Sequence, residues 1–279
     1  MINLNKKIMR MRFNRAAHKY QKAAILQREI ADRLLSRLQL IKIAPGRILD
    51  FGARNGEGSE KLRERYPKSK VFAYDCSEKM LRQHRRRWFK SNAKICGEYT
   101  DLPFASGSFD LIFSNLSLHW INEPARTLQE FFRILAPNGL LLFSTVGPDT
   151  LRELRSVTTH VHAFADMHDI GDALLKTGFT DPVMDMEYLT LHYDSVSRLI
   201  ADLKETGTTN AREDALRGLM GRGRWQKLLD EYHQRWQLSD GRIPATIEII
   251  YGHGWKPTYS EQVDSAGEIR IPIGAIQRR

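Results

Sequence analysis

Between residues 41 and 145 the chain alternates short apolar runs with amphipathic segments, and no other feature narrows its fold as much. The pattern predicts strands at 47–52, 70–74, 93–96, 109–114 and 140–145, with helices near 59–66, 77–89 and 123–135. Pro137-Asn138-Gly139 reads as a stop between the last of these helices and the strand after it. Strands and helices that alternate with short connections specify the α/β class: a mostly parallel sheet, helices on both faces and right-handed crossovers. Ligands of such sheets bind at the carboxyl ends of the strands.

The flanks differ in character. Residues 1–40 read as a helical pair, with Phe13, Ala16, Ala17, Tyr20, Ala23 and Ala24 at three-to-four-residue spacing and Ile30, Leu34, Leu35 and Leu38 extending the stripe. Such a pair either lies over a ligand mouth as a lid or simply packs on the core. A core of 41–194 is completed by a helix at 169–177, stopped by Gly178, and a strand at 183–193. A helical cap insertion is expected at 195–240, with Ser195 capping a helix at 196–206, Gly207 ending it, and a second helix at 223–237. Residues 241–257 hold the last core strand and 258–279 a polar tail.

Composition limits the class of function. The 279 residues are 42% hydrophobic and 27% charged, the balance of an ordinary soluble domain with a sizeable core. No apolar run approaches the roughly 20 residues of a membrane span, and Met1 to Arg10 lacks the apolar segment of a secretory signal. Two cysteines, Cys76 and Cys96, without CxxC spacing predict buried, reduced thiols and a cytoplasmic setting. Nine histidines show no paired ligand spacing, so no metal is expected. The net charge of +10 calls for an acidic partner. Its clusters are Lys79, Arg82, Arg85, Arg86, Arg87, Lys90 and Lys94, then Arg212, Arg217, Arg222, Arg224 and Lys227; either is alternatively a solvated helix face. Neither is interleaved with stacking aromatics and no DNA-binding motif is present, so a nucleic acid is not the expected partner.

The strand ends carry a consistent set of polar groups. After the first comes Asp50-Phe51-Gly52-Ala53-Arg54-Asn55-Gly56, a glycine-spaced turn into a helix whose free N–H groups suit an anionic ligand. The second ends at Asp75, about twenty residues past the loop, where an acid accepts ribose hydroxyls. Glu98 and Tyr99 follow the third, an acid for an adenine amino group and a ring for its face. The fourth runs into Ser114-Asn115-Leu116-Ser117-Leu118-His119-Trp120. Together they point to an adenosine-containing ligand.

These stretches resemble the class I S-adenosylmethionine-dependent methyltransferases. Residues 48–56 occupy their glycine motif, 74–81 their ribose-acid motif, and Leu102-Pro103-Phe104 with 108–112 the approach to strand four. Over nearly the whole chain the resemblance is to the BioC-type malonyl-acyl-carrier-protein O-methyltransferases of biotin synthesis. Phe13-Asn14-Arg15-Ala16-Ala17-His18-Lys19-Tyr20, Gly147-Pro148-Asp149-Thr150-Leu151-Arg152-Glu153-Leu154-Arg155, Pro244-Ala245-Thr246 and Tyr251-Gly252-His253-Gly254-Trp255-Lys256-Pro257 carry it. The arginine-hydroxylating complex I assembly factors share the Leu116–Trp120 region and the later Pro-Ala-Thr, and compete with that reading.

The resemblance implies a Rossmann-like, seven-stranded, mostly parallel sheet and S-adenosylmethionine as cofactor, with S-adenosylhomocysteine as its product. Asp50, Gly52, Arg54, Gly56, Asp75, Cys76, Glu98, Tyr99 and Asn115 would hold it. The substrate implied is malonyl-acyl-carrier protein, whose carboxylate is already ionised near neutral pH and needs no general base. Tyr20 and His119 are the candidates to line the reacting site, or else pack lid and core. Arg152 and Arg155 are candidates for the malonyl carboxylate or carrier phosphate, or else lie on an exposed helix face, and Arg217, Arg222 and Arg224 are candidates for steering the acidic carrier. The chain departs from the family where small residues usually surround the central glycine: Arg54 stands there, and Glu98 stands for the usual Asp. An inward Arg54 would weaken cofactor binding by several powers of ten, leaving a non-catalytic binder of an acidic partner; one turned to solvent, or paired with the methionyl carboxylate, would spare it.

Overall fold

The computed structural model describes residues 3–84, 93–159, 161, 163–213, 221–258, 262–263 and 269–270. Two helices come first, α1 (Lys6–Ala23) and α2 (Ile25–Arg37). Asn5 caps α1 by accepting the Ile8 N–H at 3.0 Å, and Ala24, at ψ 48°, breaks the pair. The sheet then alternates with helices: β1 (Arg47–Phe51), α3 (Glu57–Arg65), β2 (Lys70–Asp75), α4 (Glu78–Arg82), β3 (Ala93–Cys96), β4 (Phe109–Asn115), α5 (Pro124–Ile134), β5 (Leu135–Val146), α6 (Arg152–Arg155), α7 (Met167–Thr177) and β6 (Thr180–Tyr193). A 3-10 turn at Leu118–Trp120 follows β4. Helices α8 (Val196–Glu205) and α9 (Arg222–Trp236) precede the last core strand, β7 (Ile243–Trp255). Beyond it, β8 (Gln262–Val263) and β9 (Ile269–Arg270) pair with each other.

Seven strands form one sheet in the order β3-β2-β1-β4-β5-β7-β6. The first five run parallel; β7 lies antiparallel to both β5 and β6. Strand order reverses between β1 and β4, which opens a crevice at their carboxyl ends. Alternate residues feed two cores, one on each face. Leu49, Phe51, Ile112, Leu141 and Phe143 join α1, α5 and α7, whereas Ile48, Leu111, Phe113, Leu140 and Leu142 join α2, α8 and α9.

Two expectations change. Strand β5 begins at Leu135, directly after α5, and not at Leu140. Pro137-Asn138-Gly139 interrupts its pairing with β4 without ending the strand, because Asn138 adopts φ 60° and pairs outward: its N–H reaches Lys256 O at 2.8 Å, and Gly139 O accepts the Lys256 N–H at 2.9 Å. Cys76 is buried but Cys96 is exposed, since β3 is the sheet's edge strand and turns Cys96 outward. The helix predicted at 77–89 is described only as far as Arg82, and most of 258–279 lies outside the described residues.

Ser195 caps α8 by accepting the Arg198 N–H, and Gly207 ends the turn beyond it at φ 74°. A side chain at Gly207 would meet Phe13 at 2.9 Å, so glycine also lets the segment after α8 approach α1. The chain before α1 is tied to that segment as well: Asn5 N–H donates to Ala211 O at 2.7 Å. Asn122 accepts the Leu4 N–H and donates to the Leu4 carbonyl. The N-terminal helices are thereby fastened over the carboxyl ends of the strands.

Candidate active site

The loop after β1 is folded onto β2. Gly52 and Ala53 both donate their N–H groups to Tyr74 O, at 2.8 and 3.0 Å, and Gly56 donates to Ala53 O. Gly52, at φ 74°, lies so close to Ser117 that a Cβ would stand 1.9 Å from its Oγ. The Gly56 position is filled in the same way by the His84 ring. Asp50 sits beneath this loop and accepts the Ser59 hydroxyl of α3 at 2.5 Å. Burial pushes its carboxyl up to about 6, against the opposing pull of Ser59 and Arg63. It braces the loop from below.

Arg54 points inward. Its backbone is left-handed, φ 48°, in a position glycine would adopt freely. The backbone N–H donates to Asp75 Oδ2 at 3.0 Å, and the carbonyl lies 2.9 Å from His84 Nε2. The guanidinium donates from Nη1 to Asp75 Oδ2 at 3.2 Å and to the Tyr99 hydroxyl at 3.1 Å. Its plane lies over Phe13 of α1, 3.8 Å from the ring centroid. Burial alone would disfavour this cation, but Tyr99, Asp75 and Tyr20 around it raise its pKa and hold it charged.

The groups expected to hold an adenosyl ligand are thus gathered at the crevice and engaged with each other. Asp75 is 0% exposed. Tyr99 is buried against Phe51, and burial together with Asp75 keeps its hydroxyl protonated. Cys76 is buried beside Asp75, which with desolvation pushes its thiol up to about 12. Glu98 pairs with Arg10 of α1. Asn115 donates to Gln27 O at 2.9 Å and accepts the Ser144 hydroxyl at 2.8 Å. The residues present include the acids that would hold a ribose and an adenine, but Asp75 is engaged by the buried Arg54 guanidinium, so a ribose would reach it only after that side chain moves aside; the Glu98–Arg10 pair is exposed and leaves Glu98 accessible.

A cavity of about 540 Å³ opens directly beside this cluster. Tyr20, Arg54, Asn115 and His119 contribute to its polar lining, as do Glu29 and Asp202, while Leu26, Leu116, Leu189, Leu199 and Ile247 are among its apolar walls. Tyr20 is buried, and desolvation pushes its hydroxyl up to about 12 even though Arg54 opposes the rise. His119 lies 3.4 Å, Nδ1 to Oγ1, from Thr145 and edge-on to Phe164. His119 and Phe164 also line a second, more apolar cavity of about 420 Å³.

Other predicted residues lie elsewhere. Arg152 is half exposed and pairs with Glu153, and Arg155 donates to Pro148 O; neither is among the residues lining the two cavities described above. Arg222 and Arg224 are exposed on α9, and Arg217 lies outside the described residues. Sequence reasoning missed Arg10, Phe13, His84 and Phe164. Only Phe13 carried a signal, its place on the apolar stripe of α1.

Among known proteins, the family described as "Methyltransferase domain" matches residues 49–143. The YcgJ protein of Bacillus subtilis has the same fold, with a TM-score of 0.60 at 16% identity over 80% of this chain and 97% of that one. So does phosphoethanolamine N-methyltransferase 2 of Haemonchus contortus, solved with S-adenosyl-L-methionine: TM-score 0.53 at 18% identity, covering 81% of this chain and 52% of that one. Full-length relatives are more similar. The malonyl-[acyl-carrier protein] O-methyltransferase of Laribacter hongkongensis is 46% identical over 91% of this chain and 90% of its own. Malonyl-[acyl-carrier protein] O-methyltransferase 1 of Coxiella burnetii is 46% identical over 95% and 93%. With that identity sustained across both chains, on the methyltransferase fold described above, this chain belongs to the malonyl-[acyl-carrier protein] O-methyltransferase family.

Proposed function

We propose that the protein methylates the free carboxylate of a malonyl group carried as a thioester on an acyl carrier protein, in biotin synthesis in the cytoplasm. Besides family membership, one observation supports this reading: a cavity with largely apolar walls carries the neighbouring hydrogen-bond donors Tyr20 and Arg54, with Asn115 and His119 also in its lining. That shape suits a short acyl chain tipped with an anion. S-adenosylmethionine, when bound, supplies an electrophilic methyl group. The chain's own part is to place the carboxylate. A malonyl carboxylate is ionised near neutral pH, so rate depends on alignment and on excluding water. The Tyr20 phenol stays protonated at these pH values and donates to one carboxylate oxygen, leaving the other free to attack. His119 and Phe164 form the wall shared with the second cavity. No helix among the described residues is long and apolar enough to cross a membrane. Exposed Arg222 and Arg224 lie on the cap helix α9, where an acidic carrier would be steered.

The test is incubation of the purified protein with malonyl-carrier protein and S-adenosylmethionine, followed by mass spectrometry of the carrier. Formation of the malonyl methyl ester is expected. Absence of the ester at high enzyme concentration, with a known family member active alongside, overturns the reading.

A further inference from the structure

Arg54 is shared between two places: it closes the acid that would receive a ribose, and it lines the cavity assigned to the acyl group. Its backbone is pinned on both sides, by Asp75 at the N–H and by His84 at the carbonyl. Any movement is therefore confined to the side chain. We propose that Arg54 is a carboxylate exchanger, paired with Asp75 as in this structure and with the substrate's terminal carboxylate once substrate binds. The inference rests on the proposed function, which supplies the carboxylate.

The exchange keeps every charge accompanied. Taking the guanidinium off Asp75 with nothing to replace it would leave a buried carboxylate and a buried cation both unpaired, which strongly opposes it. A carboxylate arriving through the cavity gives the guanidinium a new partner with suitable geometry, since its planar fork of N–H donors matches a carboxylate. Asp75 is then released toward two hydroxyl donors, the chemistry of a ribose. Tyr20, close to Arg54, lines the same cavity and is positioned to follow the carboxylate. Substrate and nucleoside are consequently coupled: each tightens binding of the other by the same factor. A glycine at this position would leave Asp75 open at all times and abolish the coupling.

The experiment is calorimetric titration of the full-length protein with S-adenosylhomocysteine, which cannot transfer a methyl group. It is run alone, with saturating malonyl-pantetheine, and with acetyl-pantetheine. Weak binding alone, at least tenfold tighter binding with the malonyl thioester and no gain with the acetyl thioester are expected. Arg54→Gly should bind S-adenosylhomocysteine without help and show no gain from either thioester. Unchanged affinity with the malonyl thioester, an equal gain with the acetyl one, or coupling that persists in Arg54→Gly overturns the exchange. The wild-type arms decide the matter even if the variant does not fold. Methyl ester formation without coupling sinks the exchange and spares the function; coupling without methyl ester does the reverse.

Discussion

Glu153 and Thr246, 93 residues apart in the chain, are bound through both hydrogen-bond donors of the threonine. The Thr246 N–H donates to Glu153 Oε2 at 3.0 Å and the hydroxyl donates to Oε1. Both residues are buried. Nearby, Glu248 accepts the Asp149 N–H at 2.7 Å, and its backbone exchanges hydrogen bonds with the Thr150 hydroxyl. The Gly147–Arg155 stretch and the start of β7 are thus one unit. Glu153→Ala should cost roughly 2–4 kcal/mol, because a buried N–H and hydroxyl lose their acceptor. Arg152→Ala, at a half-exposed side chain, should stay within about 0.5 kcal/mol. Urea unfolding midpoints at constant slope measure both, and equal effects would refute the assignment.

Asp50 ties stability to pH. Its folded pKa of about 6 is above the ordinary carboxyl value because burial disfavours the charge. The folded protein therefore holds a proton that the unfolded chain has released. The stability this adds is complete below the unfolded pKa, near 4, and is lost as pH rises to about 6. His84, whose pKa burial lowers, acts in the opposite sense, so the wild-type profile alone is not diagnostic. Asp50→Asn keeps an acceptor for Ser59 and removes the titration. Relative to wild type it should gain roughly 1–3 kcal/mol between pH 4 and pH 7. A pH-independent difference between the two unfolding curves would contradict this.

Much of the scaffold was legible because it rests on local chemistry. Ser195 and Gly207 bound α8 through a cap and a left-handed turn, and the alternation Ile48-Leu49 across β1 already divides two cores. The misreadings arose where a distant segment decides. Pro137-Asn138-Gly139 looks like a terminator, yet Lys256 supplies the pairing that carries β5 through it. In the Gly147–Arg155 motif the buried charged residue is Glu153, whose partner lies in β7 and so is invisible to local pattern. The direction of Arg54 was left open by the sequence for the same reason. Asp75, Tyr99 and Phe13 come from three separate elements, and only their convergence creates a place for a guanidinium.

Gly52 and Ser117 offer a test of how tightly the crevice is closed. Gly52→Ala introduces a Cβ 1.9 Å from Ser117 Oγ and 2.6 Å from its Cβ, at a backbone φ of 74°. The two penalties, overlap and left-handed strain, should together cost roughly 2–4 kcal/mol. Adding Ser117→Gly removes the overlap but not the strain, so the double variant should recover about half of the loss. Thermal unfolding of the single and double variants gives the coupling directly. Additive effects would mean that loop and turn are not in contact in solution.

Tyr20 links helix α1 to the cavity. It is buried on α1, lines the cavity beside Arg54, and holds its proton to about 12. If its hydroxyl orients the malonyl carboxylate, Tyr20→Phe removes one hydrogen bond to a charged acceptor, worth roughly 1.5 kcal/mol or about a tenfold fall in kcat/KM. The ring itself remains, so α1 should stay docked and far-UV circular dichroism should not change. Between pH 6 and pH 9 neither the phenol nor a malonyl carboxylate titrates, and the relative rates of wild type and variant should run parallel. A ratio that changes with pH would identify Tyr20 as a proton-transfer group. A ratio near one would remove it from the reacting site and leave it as packing for the lid.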